Sequence, residues 1–333
     1  MFVLVMLGLD LFVVNRNPHE MKAKEAAAWT GVCIVLALAF TGAVYWIYSH
    51  NWLGIGREFR AGHAPGDLAP TASHHEVGVQ ASVEFLTGWL IEYSLSLDNI
   101  FIIAVIFTHF RVPLQNQHRV LFWGILGALV MRGIMIAAGS ALIGIASWMV
   151  FVFGAFVLLA AVKLLFQKES QFDPHQSWIV RGTRRLFRVT DDYRGSSFFV
   201  RENGLLSLTP LFVVLLVVEG MDVVFAVDSI PAIFAVTRDP FLVFTSNVFA
   251  ILGLRSLYFV LAALMNRFEH LKYSLAAILG YVGVKMILGG FGTEIDDWIS
   301  LTVICVSLGA GIVVSLVVSK KTEGQGADLW GEP

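Results

Sequence analysis

Three carboxylates, Glu219, Asp222 and Asp228, and the proline Pro231 lie inside one apolar run from about Leu206 to Val236. On insertion scales an Asp at the centre of a membrane helix costs about 2.5–3.5 kcal/mol, so such groups point to function before they point to packing. Pro231 has no N–H, and its ring would crowd the carbonyl of Val227, which predicts freed polar backbone beside Asp228. Carbonyls freed next to carboxylates make a site for a hard cation. The competing reading is a buried ion pair that only fixes how helices pack.

Other apolar segments carry the rest of this chemistry. At membrane depth the acids Asp10, Glu92 and Asp98 join Glu219, Asp222 and Asp228, against the bases Arg132, Lys163, Arg255 and Lys285. The balance is negative, and a bound cation or protons must neutralise it. Lys163 and Lys285 stand near segment ends and can snorkel outward. Arg132 and Arg255 are expected either to occupy the carboxylates when no ion is present or to form permanent ion pairs. With Asn99, Ser229 and Asn247 the donor set is rich in oxygen and free of cysteine, which suits Mg²⁺, Ca²⁺ or Mn²⁺ better than Zn²⁺ or Cu⁺. Carboxylates six residues apart on a straight helix point about 240° apart. Glu92 with Asp98, and Asp222 with Asp228, therefore meet at one ion only on broken helices or with other helices between them. Glu219 and Asp222 share a face.

The elements that must position these groups are membrane helices. Hydrophobic residues make up 57% and charged residues 14% of 333 residues, and the mean hydropathy is +0.74. The expected fold is an all-α, polytopic helix bundle of about nine spans. They fall at 1–14, 27–48, 81–107, 119–143, 145–166, 206–236, 242–264, 274–290 and 298–319. The expected organisation is 1–48 (spans 1 and 2), 49–80 (an external flexible loop), 81–166 (spans 3 to 5), 167–205 (a cytoplasmic loop), 206–290 (spans 6 to 8) and 291–333 (span 9 and a cytoplasmic tail). The first segment lacks the basic start and small-residue cleavage site of a signal peptide and reads as a short first helix. Basic residues crowd the connections after spans 1, 3, 5 and 7 and the end of the chain, which predicts an external N-terminus and a cytoplasmic C-terminus.

The rare charged residues also suggest an internal repeat. Asp98-Asn99-Ile100 overlies Asp228-Ser229-Ile230, and Glu92 then falls on Asp222. Arg132 similarly matches Arg255, and Lys163 matches Lys285. Spans 3 to 5 and 6 to 8 thus form an expected inverted 3+3 repeat with broken helices 3 and 6, a design that puts substrate at the repeat interface.

Several classes are disfavoured. No Gly-x-Ser-x-Gly or phosphate-binding glycine loop occurs, and His19-Glu20 and His75-Glu76 do not continue as metalloprotease motifs, so an enzyme is not expected. Nucleic-acid binding has no support either. Cys33 and Cys305 sit in separate apolar runs and read as small buried or lipid-facing residues. His63, His74 and His75 belong to a loop expected to be solvated. Around four arginines, Trp178, Ile179, Leu186 and Phe187 suggest an amphipathic segment that either lies on the inner leaflet or packs on the bundle.

The motif Glu-x-x-Asp-x-x-Phe-Ala-x-Asp-Ser-Ile-Pro-Ala at Glu219 to Ala232 resembles the signature of the TerC family of bacterial integral membrane proteins, including its Alx branch. Leu9-Asp10-Leu11, Ser96-Leu97-Asp98-Asn99 and the stretch Thr245 to Phe259 extend the resemblance over about residues 7 to 319. The resemblance implies a LysE-like transporter of the bacterial inner membrane that exports Mn²⁺ or another hard divalent cation and holds no permanent cofactor. The implied partners are the metal ion and the lipid bilayer. The alternative is a scaffold or stress-response component linked to tellurite resistance that moves no ion. One departure is the short first span, which puts the membrane setting of Asp10 in question.

Overall fold

The computed structural model describes residues 23–55, 73–146, 148–166, 177–202, 204–262, 271–293 and 295–328. Its helices are α1 (Ala23–Ser49), α2 (His74–His109), α3 (Leu114–Ile145), α4 (Met149–Phe166), α5 (Trp178–Leu186), α6 (Pro210–Phe234), α7 (Pro240–Leu252), α8 (Leu254–Ala262), α9 (Leu271–Gly290) and α10 (Asp297–Asp328). A single turn of 3₁₀ helix follows α1, and an antiparallel hairpin of β1 (Phe199–Glu202) and β2 (Leu205–Leu208) precedes α6. Among the described residues α1, α2, α3, α4, α6, α9 and α10 are long and apolar enough to cross a membrane, and α7 is a shorter apolar helix. The expected span 1 and its Asp10 lie outside the described residues.

Polar contacts tie the helix ends into two groups that alternate along the chain, as crossings of a single slab require. At one end Tyr48 donates to Asp239 (2.8 Å), Tyr45 meets His75 (2.9 Å) and Gln80 reaches Asp297 (2.5 Å). At the other end Tyr193 donates to the carbonyl of Phe110 (2.8 Å) and Asn116 to that of Gly195 (2.9 Å). Large apolar side chains on the bundle exterior, such as Val35 (64% exposed), Ile134 (59%) and Val306 (65%), form the surface that lipid must cover.

Several boundaries differ from the sequence reading, each for a local reason. Expected span 3 begins at His74 instead of 81, because Ser73 and Glu76 close a capping box at its start. Expected span 6 begins at Pro210 instead of 206, because 205–208 pairs as β2 and Pro210 occupies the first turn, where a missing N–H is harmless. The predicted breaks in spans 3 and 6 are corrected: α2 and α6 are continuous. Pro231 lies within the last turn of α6, so its missing donor affects a helix that ends at Phe234 anyway. The break falls in expected span 7, read as continuous over 242–264, which divides at Gly253 into α7 and α8. Expected span 9 runs on as helix to Asp328.

Close backbone approach binds α4 to α9. A Cβ placed on Gly283 would lie 2.8 Å from Leu158 Cγ and 3.1 Å from its backbone nitrogen, and one on Gly154 would lie 3.3 Å from the Gly283 carbonyl. Lipid tails are as apolar as the side chains, so such contacts supply the association between membrane helices. Gly283→Val should lower stability by about 1–3 kcal/mol, whereas Gly280→Ala, where nothing stands within 4 Å, should not. Thermal melts of both variants in detergent test this, and equal melting temperatures would contradict the packing account.

Candidate functional site

Because α2 and α6 are continuous, residues six apart lie about 9 Å apart along each axis and face different neighbours. The carboxylates accordingly divide into two groups, one at Arg132 and one at a cavity. Glu92 of α2 and Asp222 of α6 converge on Arg132 of α3, which is 2% exposed. Arg132 Nη2 reaches Asp222 Oδ1 at 3.0 Å and Nε reaches Oδ2 at 3.2 Å, a two-point fork. Its Nη1 pairs with Glu92 Oε1 and donates to Asn247 Oδ1 of α7 at 2.9 Å. Asn247 is oriented by its own donation to the Val243 carbonyl (3.0 Å).

Asp98 and Asn99 of α2, Asp228 and Ser229 of α6 and Lys163 of α4 line a cavity of about 100 Å³. A water molecule takes about 30 Å³ of liquid volume, so this space suits a partly hydrated ion. Ser229 belongs to both groups, since its hydroxyl also points to Glu92 Oε1 at 3.5 Å. Each group holds two carboxylates against one basic side chain. Glu219 lies over Gly127 of α3, where a Cβ would overlap its carboxylate, so that glycine makes its room.

Among the described residues no three His, Cys, Asp or Glu side chains converge as a ready metal cage. The expected ligands Asp98, Asp228, Asn99 and Ser229 all line the one cavity. Glu92 and Asp222 are engaged by Arg132, and Glu219 lies one turn from Asp222 on α6, against Gly127. Asp10 and the side chain of Arg255 lie outside the described residues. Lys285 binds Asp297 Oδ1 (2.5 Å) and Ser300 Oγ (2.8 Å), because α9 and α10 bring those groups to it near a bundle end.

Two features were missed in the sequence. Glu84, 1% exposed, accepts from Gln80 at 3.1 Å and joins the Lys285–Asp297 cluster through that amide. Counting every charge inside expected span 3 would have found it. Along α2, Trp89 Nε1, Glu92 Oε2 and Ser96 Oγ are buried with no hydrogen-bond partner among the described residues. Their spacing of three and four residues sets them on one face, and buried orphans of this kind call for water or an ion.

Residues 77–323 match the family described as integral membrane protein TerC family. An uncharacterised membrane protein of Myxococcus xanthus is 44% identical over 98% of this chain and 93% of its own length. A Salmonella typhi protein is 44% identical over 96% of this chain and 93% of its own length. An Escherichia coli K12 protein is 46% identical over 87% of this chain and 84% of its own length. The last two carry the provisional name membrane-bound redox modulator Alx. No solved structure matches significantly.

The Arg132 cluster generates a stability prediction. Removing one partner of a buried ion pair leaves uncompensated charge and costs about 3–5 kcal/mol, while neutralising all partners together costs far less. Arg132→Gln should therefore destabilise the protein strongly. The triple variant Arg132→Gln, Glu92→Gln, Asp222→Asn should recover most of that loss in the same unfolding assay. A triple variant no more stable than the single one would contradict this.

Proposed function

We propose, since the chain belongs to the TerC family of integral membrane proteins, that it carries a hard divalent cation, Mn²⁺ in the first instance, out of the cytoplasm. The observation that carries this reading is the cavity where Asp98, Asn99, Asp228 and Ser229 place oxygen donors from two helices around one space. These four donors are oxygens, and Met221 brings a thioether to the same lining, so the carboxylates favour a hard ion while geometry and availability select among such ions. Ser229 donates toward Glu92 Oε1, and the buried Glu92 Oε2 with Ser96 Oγ one turn along α2 supply the next donors in this reading. The cation moves between the two carboxylate groups as Arg132 releases Glu92 and Asp222, and Arg132 returns when the ion leaves. Proton antiport fits this exchange, because any carboxylate left without a cation or arginine in low dielectric favours protonation.

The topology supports an inverted repeat. Three crossings separate the start of α2 from the start of α6, so these helices run in opposite directions; of their aligned acids, Glu92 and Asp222 share Arg132, and Asp98 and Asp228 line one cavity. The basic residues of the Phe110–Asn116 turn and of the β-hairpin segment sit at one end of the bundle, which supports a cytoplasmic assignment for that end and an external N-terminus. The bacterial inner membrane is the proposed location.

The relatives' provisional name favours a redox role as the second reading. In this chain Cys33 lies on α1 and Cys305 on α10, and neither is in a disulfide. A cation route accounts for the buried acids, which a thiol exchange leaves unexplained.

Asp98→Asn and Asp228→Asn keep volume and remove charge. In cells lacking the chromosomal copy, each variant should reach the membrane in the parent's amount yet leave intracellular manganese as high as in the null strain under manganese load. If both variants lower intracellular manganese as well as the parent does, these residues do not handle the ion and a scaffold role gains.

A further inference from the structure

At the end of the bundle that holds the β-hairpin, two cavities of about 410 and 330 Å³ share Arg184 of α5. Arg185 and Arg188 line the first, Arg111 and His109 line the second, and Asp191 is the acidic residue common to both. None of Arg111, Arg184, Arg185 and Arg188 is ion-paired among the described residues, where the surface pair is Arg194 with Glu202 at 2.8 Å. Arg184 and Arg185 in the last turn of α5 also complement its dipole. Arg111, just past the C-terminal end of α2, complements that helix's dipole in the same way, and Arg188 has no such role.

Arg111 adopts φ 51°, the left-handed position that ends α2, with Val112 N–H donating to the Phe107 carbonyl at 2.9 Å. Glycine is the usual residue there, and an arginine carries a backbone penalty. The turn is held from outside by Tyr193, whose hydroxyl donates to the Phe110 carbonyl and whose phenol burial pushes up to about 12, so this donor stays protonated. A strained arginine is thus fixed at a cavity already rich in guanidinium groups. Planar guanidinium forks match phosphate oxygens.

The level of the cavity identifies the source of the phosphate. His109 closes α2 and Pro210 opens α6, and both line the second cavity, so it opens where membrane helices emerge. Trp178 (75% exposed), Leu186 (77%) and Phe187 (57%) project beside the arginines, an apolar rim suited to acyl chains. We infer that α5 and the turn after α2 form a binding site for the phosphodiester headgroup of an anionic phospholipid. The site is connected to the carboxylate helix: Ile179 of α5 fills the place a Cβ would take on Gly220 of α6, between Glu219 and Met221. Headgroup binding therefore holds α5 against α6 beside the acids. This inference stands on the basic cavities and does not require that the chain move an ion.

The full chain, purified in detergent, can be titrated with phosphatidylglycerol, phosphatidylcholine or inorganic phosphate, with bound lipid counted by native mass spectrometry and α5 amides followed by hydrogen exchange. Phosphatidylglycerol should be retained in preference to phosphatidylcholine and should slow exchange in α5. Losing three arginines at about 1 kcal/mol each should weaken that retention about 100-fold in Arg111→Gln, Arg184→Gln, Arg188→Gln. Arg194→Gln, already paired with Glu202, should behave as the parent. Parent-like retention and α5 protection in the triple variant would overturn the site. Inorganic phosphate that protects α5 as well as phosphatidylglycerol does would overturn its assignment to lipid.

Discussion

A guanidinium buried where water cannot reach it constrains everything around it. Arg132 survives on α3 because Asp222, Glu92 and Asn247 meet its donors from three other helices. In low dielectric each of these charges would be prohibitive alone, so α2, α3, α6 and α7 must hold their relative positions for the cluster to exist. The helix contacts follow from that demand. Gly127 brings α3 close enough to house Glu219, and Gly139 likewise admits Phe234. Buried polar networks of this kind raise the penalty for every misaligned alternative.

The same constraint separates the two pairs of acids. A continuous helix cannot aim residues six apart at one ion, so Arg132 takes Glu92 with Asp222, and Asp98 with Asp228 is left to the cavity. Ser229 is the side chain common to both, through its hydroxyl's contact with Glu92 Oε1. In the proposed cycle the arginine and the cation are alternative partners of one acid pair, so the bundle is never asked to hold bare carboxylates. The second buried cluster, Gln80, Glu84, Lys285, Asp297 and Ser300, is linked by its own hydrogen bonds near the end of the bundle and pairs Lys285 with Asp297 there.

Much of this was legible in residue types. Apolar runs marked the helices, and the rarity of charge within them marked Glu92, Asp98, Asp222, Asp228 and Arg132. Position within a helix was harder to read. Pro231 signals a break only if more than a turn of helix follows, and it stands in the last turn of α6. Gly253 gives no comparable warning, yet α7 ends there. The partner of Lys285 depended on how α10 approaches α9, which no local pattern encodes, and the hairpin before α6 was hidden because Leu205 to Leu208 is apolar enough to pass for the start of a span.

Flux through the purified protein tests the central claim most directly. In liposomes that trap a manganese-quenched dye, the parent should admit Mn²⁺ well above the protein-free leak, and Asp228→Asn, reconstituted at equal density, should fall to that leak. Parent liposomes as tight as empty ones, or an Asp228→Asn flux equal to the parent's, would contradict the assignment of the Asp98–Asp228 cavity as the ion's site.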